Sequence, residues 1–287
     1  MRPAALILVL TMLATVTIPA SAASPGRDYV ALGDSYAAGP GIPVQNATPP
    51  GCARSDQNYA AQLARWLNVD TFRDVTCSGA TTVHMTAPQQ VSGGPNPPQL
   101  DALSPQTDLV TLTIGGNDIG FGEILARCGQ EGAKDPTGNP CRRYYTQSGR
   151  DILADRVTAV APKIAQTLDG IRKRAPHAKI LVVGYLRILP PHTGCWPSVP
   201  FAAGDTAYFD GVERALNATT AATTHAAGAH FVDPYYFSLD HDACQPRDRR
   251  WVEPLQPANP AAPIHPNATG MRVVAGLTWA THLLTRR

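Results

Sequence analysis

The sequence predicts an α/β domain built on a parallel sheet, and three observations predict it. Residues 28–32 read Asp-Tyr-Val-Ala-Leu and stop at Gly33-Asp34-Ser35, the pattern of a buried strand feeding a tight turn. Residues 108–114 read Asp-Leu-Val-Thr-Leu-Thr-Ile and stop in the same way at Gly115-Gly116-Asn117-Asp118. Between 151 and 174, Ile152, Val157, Val160, Ile164, Leu168 and Ile171 recur close to a helical period. Strands separated by helices imply right-handed crossovers and a parallel sheet.

The elements follow in chain order. Residues 1–23 read as a secretory leader: Arg2 is the charged start, Ala4 to Val16 the apolar stretch, and Ala20-Ser21-Ala22 a small-residue cleavage pattern. That stretch is short for a membrane span, and no later segment is apolar enough to be one. Residues 24–287 then form one domain. Its first strand covers about 28–34. A helix from about Asn58 to Leu67 places Tyr59, Leu63, Trp66 and Leu67 on one face. A short strand near 71–76 leads to Cys77-Ser78-Gly79-Ala80. Residues 86–107, rich in Pro, Gln and Gly, are expected as loop. After the strand at 108–114 and the helix at 151–174 come a strand from Lys179 to Gly184 and an Ala-rich helix over 205–227. A short strand at His230-Phe231-Val232 and a last helix from about Ala268 to Leu284 complete the chain.

Composition narrows the function. Net charge is only +2 over 287 residues, with no basic run beyond pairs such as Arg249-Arg250, so no nucleic-acid partner is expected. Hydrophobic residues make up 44% of the chain, which argues against disorder. Six cysteines, Cys52, Cys77, Cys128, Cys141, Cys195 and Cys244, all follow the leader. An even number in a secreted chain favours disulfides. Fifteen pairings are open for six cysteines. Sequential pairing is the simplest, and each bond would staple a Pro/Gly-rich excursion at about 3 kcal/mol by loop closure. No Cys-x-x-Cys and no paired Cys/His spacing is present, so zinc is not expected; the residues considered next imply no metal or organic cofactor.

The chemistry is expected at the carboxyl ends of the strands, where open α/β sheets bind ligands. Ser35 is the candidate nucleophile. A serine hydroxyl needs a base to take its proton and donors to face the developing oxyanion. His265, in Ile264-His265-Pro266-Asn267, is the candidate base. The candidate oxyanion donors are the Ser35 N–H, the Gly79 N–H and the Asn117 side-chain amide. A glycine at 79 lets the main chain approach a substrate closely. Gly-Asp-Ser alone is an ordinary turn, and Asn-Asp alone an ordinary cap. Among the other histidines, His241 in Leu239-Asp240-His241-Asp242 is the best competitor for the base. No second carboxylate accompanies Asp34 in the manner of a glycosidase acid pair.

Taken in order, Gly33-Asp34-Ser35, Gly79, Gly115-Gly116-Asn117-Asp118 and His265 resemble the four sequence blocks of the SGNH (GDSL) hydrolase superfamily. The resemblance spans the mature chain. It implies a flavodoxin-like three-layer α/β/α domain that hydrolyses esters. Within that superfamily the leader, the cysteines and Gly-Asn-Asp-Ile-Gly-Phe are similar to secreted actinomycete lipases, esterases and phospholipases. One position departs from the family pattern, which has Asp-x-x-His: the residue three before His265 is Ala262. A Ser35–His265 dyad is therefore expected, with a main-chain carbonyl of Ala262 or Pro263 holding the imidazole. The alternative is a carboxylate from elsewhere, with Asp240, Asp242 and Glu253 as candidates.

The expected function is a secreted, monomeric, extracellular bacterial ester hydrolase acting on lipid or other ester substrates without a stable membrane anchor. Trp196, Val199, Phe201, Tyr235, Tyr236, Phe237 and Trp251 are candidates for an apolar cleft or, equally, for ordinary core, and a Cys195–Cys244 bond would tie two of their loops beside His265. The same machinery also serves a carbohydrate acetyl esterase, and the fold alone also serves a non-catalytic extracellular binding module.

Overall fold

β1 (Asp28–Gly33) is an inner strand of the sheet, with every residue after Asp28 buried. A strand buried on both faces is near-continuously apolar, as Val30-Ala31-Leu32 is here. β1 pairs in parallel with β2 (Thr71–Asp74) on one side and with β5 (Leu109–Thr113) on the other, where Ala31 aligns with Thr111. β6 (Lys179–Val183) and β7 (His230–Val232) extend the sheet beyond β5, giving the parallel order β2-β1-β5-β6-β7. The structure, a computed structural model, describes residues 27–285. The leader expected over 1–23 lies outside the described residues.

Helices cover both faces. α2 (Tyr59–Leu67) packs on α7 (Ala268–Leu284), and α5 (Ile152–Arg174) packs on α6 (Thr206–Ala226). The crossover from β1 to β2 runs opposite to those from β5 to β6 and β6 to β7. Right-handed crossovers then put α2 on one face and α5 and α6 on the other. This is the expected three-layer α/β/α arrangement with a flavodoxin-like strand order. Its switch point falls between β1 and β5, where ligands bind in such sheets. Ser35 leaves β1 and Asn117 leaves β5 at that edge. Gly33, the last residue of β1, stands at φ +145°, and a Cβ there would lie 2.5 Å from the Thr113 carbonyl oxygen.

Several local expectations change. The segment expected as loop over 86–107 contains a hairpin, β3 (Gln89–Val91) and β4 (Gly94–Asn96), and a 3-10 turn over Gln99–Ala102. Two helices were not anticipated: α3 (Phe121–Lys134) and α4 (Pro140–Thr146). The buried stripe of α3 is Ile124, Cys128 and Gly132, so its period rests on a cysteine and a glycine rather than on large apolar side chains. On α2, Tyr59, Leu63 and Leu67 are buried, whereas Trp66 turns outward and is exposed. The cysteines pair sequentially: Cys52 with Cys77, Cys128 with Cys141, and Cys195 with Cys244. The second bond ties α3 to α4. No helix among the described residues is long and apolar enough to cross a membrane.

Candidate active site

Ser35 is the first residue of α1 (Ser35–Ala38), directly after the strand. Asp34 caps this short helix by accepting the Tyr36 N–H at 2.9 Å, which fixes the turn that presents the serine. Ser35 is 8% exposed, and its Oγ lies 2.8 Å from His265 Nε2. His265 Nδ1 lies 2.7 Å from the Pro263 carbonyl oxygen. A carbonyl only accepts, so Nδ1 carries the proton and Nε2 is free to accept from the serine hydroxyl.

The loop that presents His265 is braced on both sides. Glu253 N–H donates to the His265 carbonyl, and Ile264 N–H donates to the Glu253 carbonyl, both at 3.0 Å. Ile264 itself stands at φ +59°, a left-handed conformation that a β-branched residue rarely adopts. The Tyr36 hydroxyl donates to the Ile264 carbonyl at 2.9 Å, and the Tyr36 ring packs on the imidazole. Burial holds His265 below the usual histidine range, with the Pro263 bond opposing it.

None of the three candidate carboxylates reaches the imidazole. Glu253 is buried and accepts from the side-chain amides of Asn259 and Asn267 and from the N–H groups of Ala258 and Asn259. Burial would raise its carboxyl, but these bonds outweigh it and hold Glu253 below the usual range. Asp242 accepts from Cys244 N–H and from Gln245. Asp240 occupies a turn at φ +62°. His241, the competing histidine, stacks on Trp251 at 3.8 Å, and its Nδ1 lies 2.6 Å from the Arg249 carbonyl oxygen.

The three candidate donors lie on the segments that follow β1, β2 and β5. The N–H groups of Ser35 and Gly79 donate to no acceptor among the described residues. Asn117 Nδ2 gives one hydrogen to the Ala80 carbonyl at 2.9 Å and keeps the other. Gly79, at φ +79°, is held in a loop anchored by Cys52–Cys77 and by the bond from Gln89 Nε2 to the Ser78 carbonyl at 2.8 Å. Asp118 fastens the β5 turn to this loop by accepting from both the N–H and the hydroxyl of Thr82, at 2.9 and 2.6 Å.

Sequence reasoning passed over two supports. Gln99 grips both main-chain groups of Gly33, accepting its N–H at 2.7 Å and donating to its carbonyl at 2.9 Å. The Tyr185 hydroxyl donates to Asp34 Oδ2 at 2.5 Å and accepts the Gly116 N–H at 2.7 Å, joining the serine turn to the asparagine turn. Burial pushes the Asp34 carboxyl up to about 7, against the opposing bonds from Tyr185 and Tyr36. Tyr185 lies two residues past the end of β6, so its place at the carboxyl edge was the available signal.

A cavity opens beside Ser35 and Asn117, walled by Ile119, Phe121, Ile188, Phe209, Val212 and Leu216. The apolar loop residues offered as cleft or as core do not line it. Val199, Phe201 and Tyr235 are buried in the core, and Tyr236 and Phe237 are exposed.

Residues 31–273 match the model of the GDSL-like lipase/acylhydrolase family. This chain belongs to that family. Membership sets the reaction class, hydrolysis of carboxylic esters. The chain is 40% identical over 268 residues to lipase 2 of Streptomyces coelicolor, covering 91% of this chain and 88% of that protein. Its fold is similar to that of phospholipase A1 from Streptomyces albidoflavus, with a TM-score of 0.74 at 24% identity, covering 91% of this chain and 100% of that one. It is also similar to an extracellular lipase from Streptomyces rimosus, with a TM-score of 0.68 at 27% identity, covering 87% of this chain and 98% of that one. In this family member, His265 lies against Ser35, and Ser35 and Asn117 line one cavity.

Proposed function

We propose that this protein is a serine ester hydrolase working through a Ser35–His265 dyad. The observation that supports it best is the chain of contacts from Pro263 O through the imidazole to Ser35 Oγ, at 2.7 and 2.8 Å. As Oγ attacks the ester carbonyl carbon, His265 Nε2 takes the hydroxyl proton. The carbonyl oxygen becomes an oxyanion that accepts from Ser35 N–H, Gly79 N–H and the Asn117 amide. Collapse of this intermediate expels the alcohol, which takes the proton from Nε2 and leaves an acyl-enzyme. Water, losing a proton to Nε2, then attacks the acyl carbon, and the acid leaves as Ser35 regains its hydrogen. The Pro263 carbonyl keeps the imidazole in the working tautomer and supplies no charge.

The substrates in this reading are lipid esters. The apolar walls beside Ser35 support it, as does similarity to proteins named as lipases. Secretion as a monomer behind the leader at 1–23, with residues 24–287 as one hydrolase domain, accords with three disulfides. The test is hydrolysis of p-nitrophenyl esters from acetate to palmitate, with phosphatidylcholine alongside, by wild type and Ser35→Ala. Ser35-dependent cleavage of medium or long chains is expected. Cleavage of acetate alone would point to deacetylation of carbohydrate instead, and no Ser35-dependent turnover would point to a binding module.

A further inference from the structure

With no carboxylate beside it, His265 depends on one peptide group for its orientation. The Pro263 carbonyl oxygen lies 2.7 Å from Nδ1 and belongs to the same loop, two residues upstream. For that carbonyl to reach back to the imidazole, the residue between them turns sharply, and Ile264 does so at φ +59°. Ile264 is fully buried and β-branched, and such a residue does not hold a left-handed conformation unaided. Its neighbours must hold it there.

Each peptide group is planar, so fixing the two planes that flank a residue fixes both of its dihedrals. The first plane contains the Pro263 carbonyl and the Ile264 N–H, and that N–H donates to the Glu253 carbonyl at 3.0 Å. The second contains the Ile264 carbonyl, which accepts from the Tyr36 hydroxyl at 2.9 Å. These two clamps differ in kind: the first joins main chain to main chain, whereas the second is a single side-chain donor. Tyr36 is well placed to supply it. It follows Ser35 directly in α1, its N–H donates to Asp34 at 2.9 Å, and its ring lies 5.3 Å from the imidazole between centroids. The residue next to the nucleophile thus grips the loop that carries the base.

We infer that Tyr36 is a positioning residue for the dyad. Its hydroxyl, acting through the Ile264 carbonyl, holds the Pro263 carbonyl against His265 Nδ1 and so keeps Nε2 aimed at Ser35 Oγ. The hydroxyl is committed to Ile264 and takes no part in proton transfer. This rests on the Ser35–His265 reading above and names what orients the base in it.

The experiment compares wild type with Tyr36→Phe, which keeps the ring and removes the one donor. Steady-state hydrolysis of p-nitrophenyl acetate gives kcat and KM. NMR of protein carrying isotope-labelled histidine follows the imidazole, with His265→Ala assigning its signals. Leu63→Ala, a core substitution on α2, is the control for a general loss of stability. Tyr36→Phe should lower kcat by about tenfold or more and leave KM within about threefold, because a shifted base costs rate rather than binding. Wild type should show one His265 tautomer, protonated on Nδ1 and protected from exchange with solvent. In Tyr36→Phe that proton should shift and exchange faster, and in Leu63→Ala neither kcat nor the signal should follow. An unchanged kcat, a change mainly in KM, a loss of kcat with the His265 signal unmoved, or the same loss in Leu63→Ala would overturn the inference. Should Tyr36→Phe fail to fold, wild type decides alone: a single protected Nδ1 proton supports the inference, and a ring protonated on Nε2 or exchanging freely overturns it. Absence of Ser35-dependent hydrolysis by wild type would overturn the catalytic reading, and this inference with it.

Discussion

The Pro263 carbonyl oxygen sits 2.7 Å from His265 Nδ1, in the place where a carboxylate would complete a triad. A neutral acceptor fixes the ring and its tautomer but adds no negative charge beside the imidazolium that forms during catalysis. The predictions below follow from that difference and from the groups around it.

Removing the spare carboxylates should matter little to the chemistry. Asp240→Ala and Asp242→Ala should each lower kcat by less than about tenfold, against a loss of about three or more orders of magnitude for His265→Ala. Steady-state kinetics on one short ester checks this. A loss of several orders of magnitude for either aspartate would mean that the dyad is in truth a triad.

The acid limb of the kcat/KM profile should lie below the ordinary histidine value of about 6.5. His265 must be neutral to accept the serine proton, and burial disfavours its charged form. Activity is therefore lost only as pH falls through a depressed value. A limb above 6.5 would indicate an anion beside the ring, which the structure does not place there.

Asp34 should make the protein less stable as pH rises from about 4 towards 7. Its folded carboxyl titrates at about 7 and its unfolded one near 3.8, so in that window the native state holds a proton that the unfolded chain has released. The contribution is fully present below the unfolded value and is lost through the folded one. Asp34→Asn should flatten this part of the stability curve, as measured by urea unfolding across pH. Equal slopes for the two proteins would contradict a neutral Asp34.

Glu253 should act in the opposite direction. Its folded carboxyl is held below the usual range, so its contribution is present above the unfolded value and is lost as pH falls through the folded one. Glu253→Ala leaves two main-chain N–H groups and one amide hydrogen each of Asn259 and Asn267 unpaired, while both amides keep their bonds to main-chain carbonyls, and should destabilise by about 3 kcal/mol near neutrality. Thermal melts at pH 7 and below pH 4 should show the wild-type advantage shrinking in acid.

Asn117→Ala should lower kcat by about 100-fold with KM little changed, because the proposed mechanism gives its second amide hydrogen to the oxyanion alone. A change mainly in KM would instead make Asn117 a ground-state binding group.

What the sequence revealed follows from the range over which its signals act. β1 and β5 stand out because buried parallel strands are continuous apolar runs cut off by glycine, and Ser35 and Asn117 sit at those cuts. α3 is hidden because Cys128 and Gly132 occupy two of its three buried positions. The Tyr185–Asp34 and Gln99–Gly33 bonds join residues far apart in sequence, and no local pattern marks such pairs. The choice between cleft and core stayed open for a related reason. Exposed Tyr236 and buried Tyr235 look alike as adjacent aromatics, and only packing decides which one turns inward. Ala262 in place of the family aspartate signalled the absence of a local carboxylate, but the choice between two neighbouring carbonyls depended on the loop turn at Ile264.

The most direct test of the Ser35–His265 dyad is covalent labelling with a fluorophosphonate, read by intact mass and peptide mapping. Wild type should take up one phosphonyl group on the peptide containing Ser35, Ser35→Ala should take up none, and His265→Ala should label at least about 1000-fold more slowly. Labelling at another residue, or at the same rate without His265, would contradict the account.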